Sequence, residues 1–237
     1  DSYTIEFLSN EWIRNTLITV FFISFFVLIG KLLNEKQNIK TARLFSLILL
    51  ISTLFSHSGN IISNQWTIRE HLPLHLCSIN SLICILILFI KKNKSLFEFS
   101  FYGGIIGGIV AILTPQINDY DGSILEYLVY YISHSLIILI PFYLLLYLNF
   151  NLRPYSWLKT ILYLNILMVI LMPLNYLIKS NYMYLNRPPK VNNPLIIGEW
   201  PYYLIYFEVF ILILFLITFW IFKRKKNSNF VSNNYIV

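Results

Sequence analysis

The chain has 237 residues, of which 57% are hydrophobic and only 12% charged, with a net charge of +7 and a mean hydropathy of +0.65. Soluble domains carry about 25% charged residues, so there is too little polar surface here to cover a water-facing core. This excludes a disordered chain and argues against a soluble globular enzyme; it points to a multi-spanning membrane protein, in which each span takes about 20 apolar residues.

Seven apolar runs follow one another near residues 15–33, 42–63, 72–90, 96–113, 124–148, 158–178 and 202–222. Spans must satisfy their backbone polar groups internally, so these are helices; runs such as 81–90 lack the alternation of a barrel strand. The expected fold is all-α, a polytopic bundle of about seven transmembrane helices forming one integral membrane domain over 1–237. Neither a linker, an internal repeat nor a second domain is visible. In the fourth run Gly103-Gly104 and Gly107-Gly108 make a small-residue face suited to close helix packing rather than a phosphate loop. Pro115 ends that helix.

The basic residues orient the bundle. Alternate loops hold Lys31, Lys36, Lys40 and Arg43; Lys91, Lys92 and Lys94; Arg153 and Lys159; and Lys223 to Lys226, against Arg14, Arg69, Lys179, Arg187 and Lys190 on the other side. By the positive-inside rule the amino terminus is outside and the carboxyl terminus cytoplasmic, which agrees with an odd number of spans. The +7 charge is therefore a topological marker that meets anionic headgroups, and the expected location is the cell membrane. No basic stripe interleaved with aromatics points to nucleic acid. Trp12, Trp66, Trp157, Trp200, Tyr202 and Tyr203, near span ends, fit interfacial belts. The first apolar run lacks the basic start and cleavage site of a signal peptide, and an opening Asp1 rather than Met leaves room for leading residues before it. Heavy use of Asn, Ile, Lys and Tyr suggests a bacterial, AT-rich genome.

Ionisable side chains inside a bilayer are costly and mark functional sites. Here they gather at the outer depth: His57 in the second span, His71 and His75 at the start of the third, Cys77 two residues on, His134 in the fifth and Glu208 in the seventh. Asn60, Asn175 and Asn181 sit at similar depth, whereas the inner halves read as nearly uninterrupted Leu, Ile, Phe and Val. Pro73 fits the first turn of a helix, which places Cys77 about one turn inside the third span. A thiolate beside an imidazole is an arrangement for nucleophilic catalysis; the base is His75 or His134. On a helix His75 and Cys77 point about 160° apart, so His134, arriving from another helix, is the better placed. Lys179, Arg187 and Lys190 are candidates to hold a lipid phosphate.

Structural readings stand beside these. Cys84 reads as a packing residue. Cys77 and Cys84 lie about 10.5 Å apart along one helix, too far to bridge. His57 and His134 also suit interhelical hydrogen bonds, and Glu208 suits a pairing with a histidine or with Arg187. A zinc shell is the chemical competitor: His71 and His75 have i, i+4 spacing, with His57, His134, Asp119 or Asp121 to complete it, although Pro73 between them leaves a shared helical face unassured.

The stretches His71 to Ser78, Gly103-Gly104 through Leu113-Thr114-Pro115, Tyr130 to His134, Asn181 to Leu185 and Gly198 to Tyr203 resemble the YwaF-type integral membrane proteins of Gram-positive bacteria, over roughly residues 40 to 220. That family is related to a eukaryotic transmembrane acyltransferase that remodels ether phospholipids. The resemblance implies a cysteine nucleophile at Cys77 with a histidine partner at His134.

The leading expectation is thus a membrane-embedded acyltransferase or lipid hydrolase with Cys77, His134 and His75 as catalytic candidates. Substrate contacts are expected from His57, His71, Asn60, Asn175, Asn181, Arg187 and Glu208. Its substrate would be a membrane phospholipid, with a lysolipid, a lipoprotein amine or water as acceptor, and no cofactor or metal is assigned. The alternatives are a zinc-dependent, ceramidase-like lipid hydrolase built on the histidines and a non-catalytic transporter or receptor. Against a transporter, no paired broken helices occur in corresponding halves.

Overall fold

Short polar side chains start the helices. Ser9 accepts from the Trp12 amide, Asn34 and Gln37 satisfy each other's amides, and Asn93 and Ser123 cap two further starts, which removes orphan N–H groups from the lipid-facing ends. The computed structural model describes residues 2–90, 93–118, 120, 122–190 and 197–223. Lys91, Lys92, Asp119, Asp121 and Arg224 to Lys226, named above, lie outside the described residues. The helices are α1 (Asn10–Gly30), α2 (Glu35–Ile62), α3 (Leu76–Leu86), α4 (Lys94–Phe99), a π-helical turn (Ser100–Gly104), α5 (Ile105–Leu113), α6 (Ile124–Tyr147), α7 (Ser156–Ile178) and α8 (Tyr202–Phe222). With α4 through α5 taken as one rod, six are long and apolar enough to cross a membrane. The protein is a polytopic helical bundle and a multi-pass membrane protein.

The third segment departs from expectation. Its helix holds 11 residues, about 16 Å against roughly 30 Å of hydrocarbon, and Pro73 lies outside it. His75 is the N-cap in an extended conformation, so Cys77 is the second helical residue rather than one turn in. The chain still runs deep into the bundle: Leu72 meets Tyr182 beyond the end of α7, whereas the Cys84 carbonyl accepts from Ser46 in mid-α2. Irregular backbone is tolerated at membrane depth where protein surrounds it. Apolar composition cannot distinguish that from a helix.

α6 is the central rod, packed against α1, α2, α3 and α5 and buried without a break from Ser135 to Pro141. Pro141 cannot donate to the Ile137 carbonyl one turn back, and Gly104 closes on that carbonyl: a methyl on Gly104 would sit 2.8 Å from it. A methyl on Gly108 would lie 2.6 Å from Ile138 and 3.1 Å from the His134 carbonyl. The glycine face thus serves close packing of α5 and the π-turn on α6. Pro115 follows the end of α5, and its carbonyl accepts from Ile5. There the amino-terminal segment adds the antiparallel pair β1 (Tyr3–Thr4) and β2 (Gln116–Ile117), two strands too short to show an alternating pattern in the sequence.

The inner half of the bundle is less uniformly apolar than expected. Glu98, 2% exposed, accepts from the backbone amide, Nε and Nη2 of Arg153 at 2.6 to 2.9 Å. Arg153, read from the sequence as a loop anchor, is tied to α4. Next to this pair Tyr102 and Ser156 hydrogen-bond at 2.8 Å.

Candidate functional site

A cavity of about 450 Å³ lies inside the bundle, walled by α2, the lead-in and start of α3, α5, α6, the turn at Tyr182–Tyr184 and α8. That volume is in the range of small-molecule sites. Its polar groups include His57, Asn60, His71, His75, Cys77, Tyr130 and His134; its other end is lined by Leu82, Ile106, Ile137, Ile211 and Phe215.

Cys77 and His134 reach the cavity from different elements, with the glycines of α5 between them. A methyl on Gly107 would lie 3.6 Å from Cys77 Sγ, just as one on Gly108 would abut the His134 carbonyl. Because Gly107 carries no side chain, space remains in front of the thiol. Cys84, fully buried with a free thiol, packs in the core. His134 Nδ1 is 2.7 Å from the Tyr130 carbonyl oxygen. A carbonyl only accepts, so Nδ1 carries the proton and Nε2 keeps its lone pair. The Tyr130 ring also lies against the imidazole, centroids 4.2 Å apart, and its hydroxyl donates to the Ala111 carbonyl.

The other three histidines have the opposite pattern. His57 Nδ1 accepts from Trp66 Nε1 at 3.2 Å, His71 Nδ1 from the Thr67 amide at 3.0 Å and His75 Nδ1 from the Met183 amide at 3.3 Å. In each neutral ring the proton therefore sits on Nε2. His75 is an extended N-cap rather than a helical residue, so a helical wheel does not turn it away from Cys77, and both residues line the cavity.

The turn that holds His75 is conformationally strained. Met183 and Tyr184 both have positive φ, 56° and 54°, costly for non-glycine residues and a feature that clusters at ligand sites. Three side chains pin it. Asn175 binds the Tyr182 amide and carbonyl, the Tyr182 hydroxyl bridges Ile68 and Leu72, and Tyr203 donates to the Tyr184 carbonyl. Tyr203 is accordingly buried at the cavity rather than at a lipid interface. Burial raises the pKa of the Tyr184 hydroxyl.

Several expected substrate contacts lie elsewhere. Asn175 is fully buried under the turn, Asn181 binds the Asn186 and Arg187 backbone, and Arg187 is exposed outside the cavity wall. Lys179 and Lys190 do not line the cavity either. Glu208 accepts from Asn165 Nδ2 at 2.8 Å between α7 and α8 and pairs with neither a histidine nor Arg187. Among the described residues no three of His, Cys, Asp and Glu come together as a metal shell; His71 precedes the helix and His75 caps it, so their i, i+4 spacing does not give a shared face. Tyr130, Met183, Tyr184 and Gly107 were missed as site residues. Each lies in a stretch singled out for another reason: Tyr130, Met183 and Tyr184 in segments that carry the family resemblance, and Gly107 in the glycine face.

A protein-family model described as the TMEM164 family matches residues 7–219. No curated protein and no solved structure matches the chain.

Proposed function

We propose, for a chain that belongs to the TMEM164 family, a membrane-embedded lipid acyltransferase in which Cys77 is the nucleophile and His134 its base. The observation that carries this reading is that Cys77 and His134 line one cavity, with Nδ1 of His134 committed to the Tyr130 carbonyl and Nε2 left as acceptor. The Cys77 proton passes to His134 Nε2, Sγ forms a bond to the acyl carbon of a phospholipid ester, and the ester C–O bond breaks. The departing lysolipid alkoxide takes the proton from His134. An acceptor hydroxyl, amine or water then attacks the acyl-thioester while His134 removes its proton; the C–S bond breaks, and the Cys77 thiolate takes that proton back from His134. The apolar end of the cavity suits an acyl chain, and its polar end suits the ester and headgroup. Kinship with YwaF-type bacterial proteins and with the ether-phospholipid acyltransferase, and residence in the cell membrane, belong to the same proposal.

The test is acyl exchange between labelled phospholipid and lysolipid in vesicles containing the purified protein. Cys77→Ser and His134→Ala are each expected to abolish exchange. Unchanged exchange in both would sink the assignment.

A further inference from the structure

Of the four histidines that line this cavity, His75 and His134 hold opposite proton arrangements, and that difference assigns them different work. His134 presents a lone pair at Nε2. His75 cannot present one there, because the Met183 amide donates to its Nδ1 and the neutral ring then carries its only proton on Nε2. Nothing about the ring is loose: Tyr182 and Tyr184 pack on it with centroids 5.3 and 5.2 Å away. The Met183 amide that fixes the tautomer is delivered by a turn with two successive positive-φ residues. A strained turn clamped by Asn175, Tyr182 and Tyr203 is a large structural investment for orienting one N–H.

We propose that His75, through Nε2–H, is the hydrogen-bond donor to the oxyanion that forms when Cys77 attacks an acyl carbonyl, with His134 alone acting as base. This rests on the acyl-transfer reading above and adds a catalytic residue to it. When the Sγ–C bond forms, the carbonyl π pair moves onto oxygen, and that oxygen accepts from His75 Nε2–H. When the intermediate collapses, the pair returns, the C–O bond breaks and the leaving oxygen takes its proton from His134. His75 keeps its proton throughout. His75 is two residues from Cys77 on the same stretch of chain, lines the same cavity and contacts Tyr184, which also lines it. Donors of this kind act where charge develops and are worth about 10²–10³ in rate.

The experiment compares two reagents on one thiol, with the full-length protein in detergent and the modified Cys77 peptide quantified by mass spectrometry. Iodoacetamide alkylates by displacement and creates no oxyanion; a p-nitrophenyl fatty ester acylates through one. With His75→Ala, acylation is expected to fall by about 10²–10³-fold while alkylation is unchanged. The unchanged alkylation also reports an intact fold. His75→Gln, whose amide can accept from Met183 and still donate, is expected to restore part of the acylation. His134→Ala should slow both reactions, because both need the thiolate. Equal losses of acylation and alkylation in both His75 variants, or full acylation in His75→Ala, would overturn the role of His75 and leave the acyl-transfer reading standing. A wild-type Cys77 that alkylates but never acylates would overturn the acyl-transfer reading itself, and this role with it.

Discussion

Gly107 and Gly108 are adjacent in sequence, yet a methyl at each meets different surroundings. On Gly107 it would lie in ordinary contact, 3.5 Å from Leu76 and 3.6 Å from Cys77 Sγ; on Gly108 it would stand 2.6 Å from the Ile138 side chain. Gly107→Ala is therefore expected to leave the thermal midpoint in detergent unchanged and to slow alkylation of Cys77 by iodoacetamide. Gly108→Ala is expected to cost about 1–3 kcal/mol through overpacking, read as a lower thermal midpoint. The opposite ranking would refute this account of the site. At this scale the sequence distinguishes which residues are unusual but not what they touch. Cys77, the histidines, Glu208 and Asn175 all stand out because polar groups are costly among apolar ones. Yet Glu208 is answered by Asn165, 43 residues away, and Asn175 by its own neighbouring turn. Glu98 does not stand out for the complementary reason: its partner Arg153 reads as one more loop cation.

Helices are legible because apolar length and polar caps are local signals: the start of α8 falls at 202, as its apolar run predicts, and α6 within one residue of its predicted end. α3 is illegible because a buried irregular strand of chain and a buried helix ask for the same apolar side chains. α8 also has a role that length and hydropathy do not reveal. Tyr203, Leu204, Phe207, Ile211 and Phe215 line the cavity, a stretch of about 18 Å along the helix axis. It ends where Phe215 stacks on Tyr102, centroids 5.1 Å apart. On the acyl-transfer proposal that stack is the floor of the chain-binding end. Phe215→Ala would remove the floor but costs about 3–5 kcal/mol in a core, so Phe215→Leu is the gentler variant. Its expected effect is a shift of the preferred p-nitrophenyl ester toward longer chains, measured as relative Cys77 acylation rates across a chain-length series. An unchanged length profile would place the floor elsewhere.

For the whole molecule the short α3 decides the crossing count on which orientation depends. Six rods alone would return both termini to one side; seven crossings separate them. The path of the third segment favours seven. It begins at Leu72 beside Tyr182, beyond the end of α7, descends through α3 to the level of Ser46, and continues toward Lys94, where α4 begins near Arg153. On that path the residues before and after it would belong on opposite faces, which is what the positive-inside reading of the lysines and arginines expects. In a Cys77→Ser, Cys84→Ser background, the exposed positions Gln65 and Lys94 report the two ends when each is changed to cysteine. A membrane-impermeant maleimide is expected to label Gln65→Cys in intact cells and Lys94→Cys only after permeabilisation. Labelling of both in intact cells would mean that the segment enters and leaves on one face. The orientation drawn from the basic residues would then fail, and with it the placement of the cavity's polar end toward the outer leaflet.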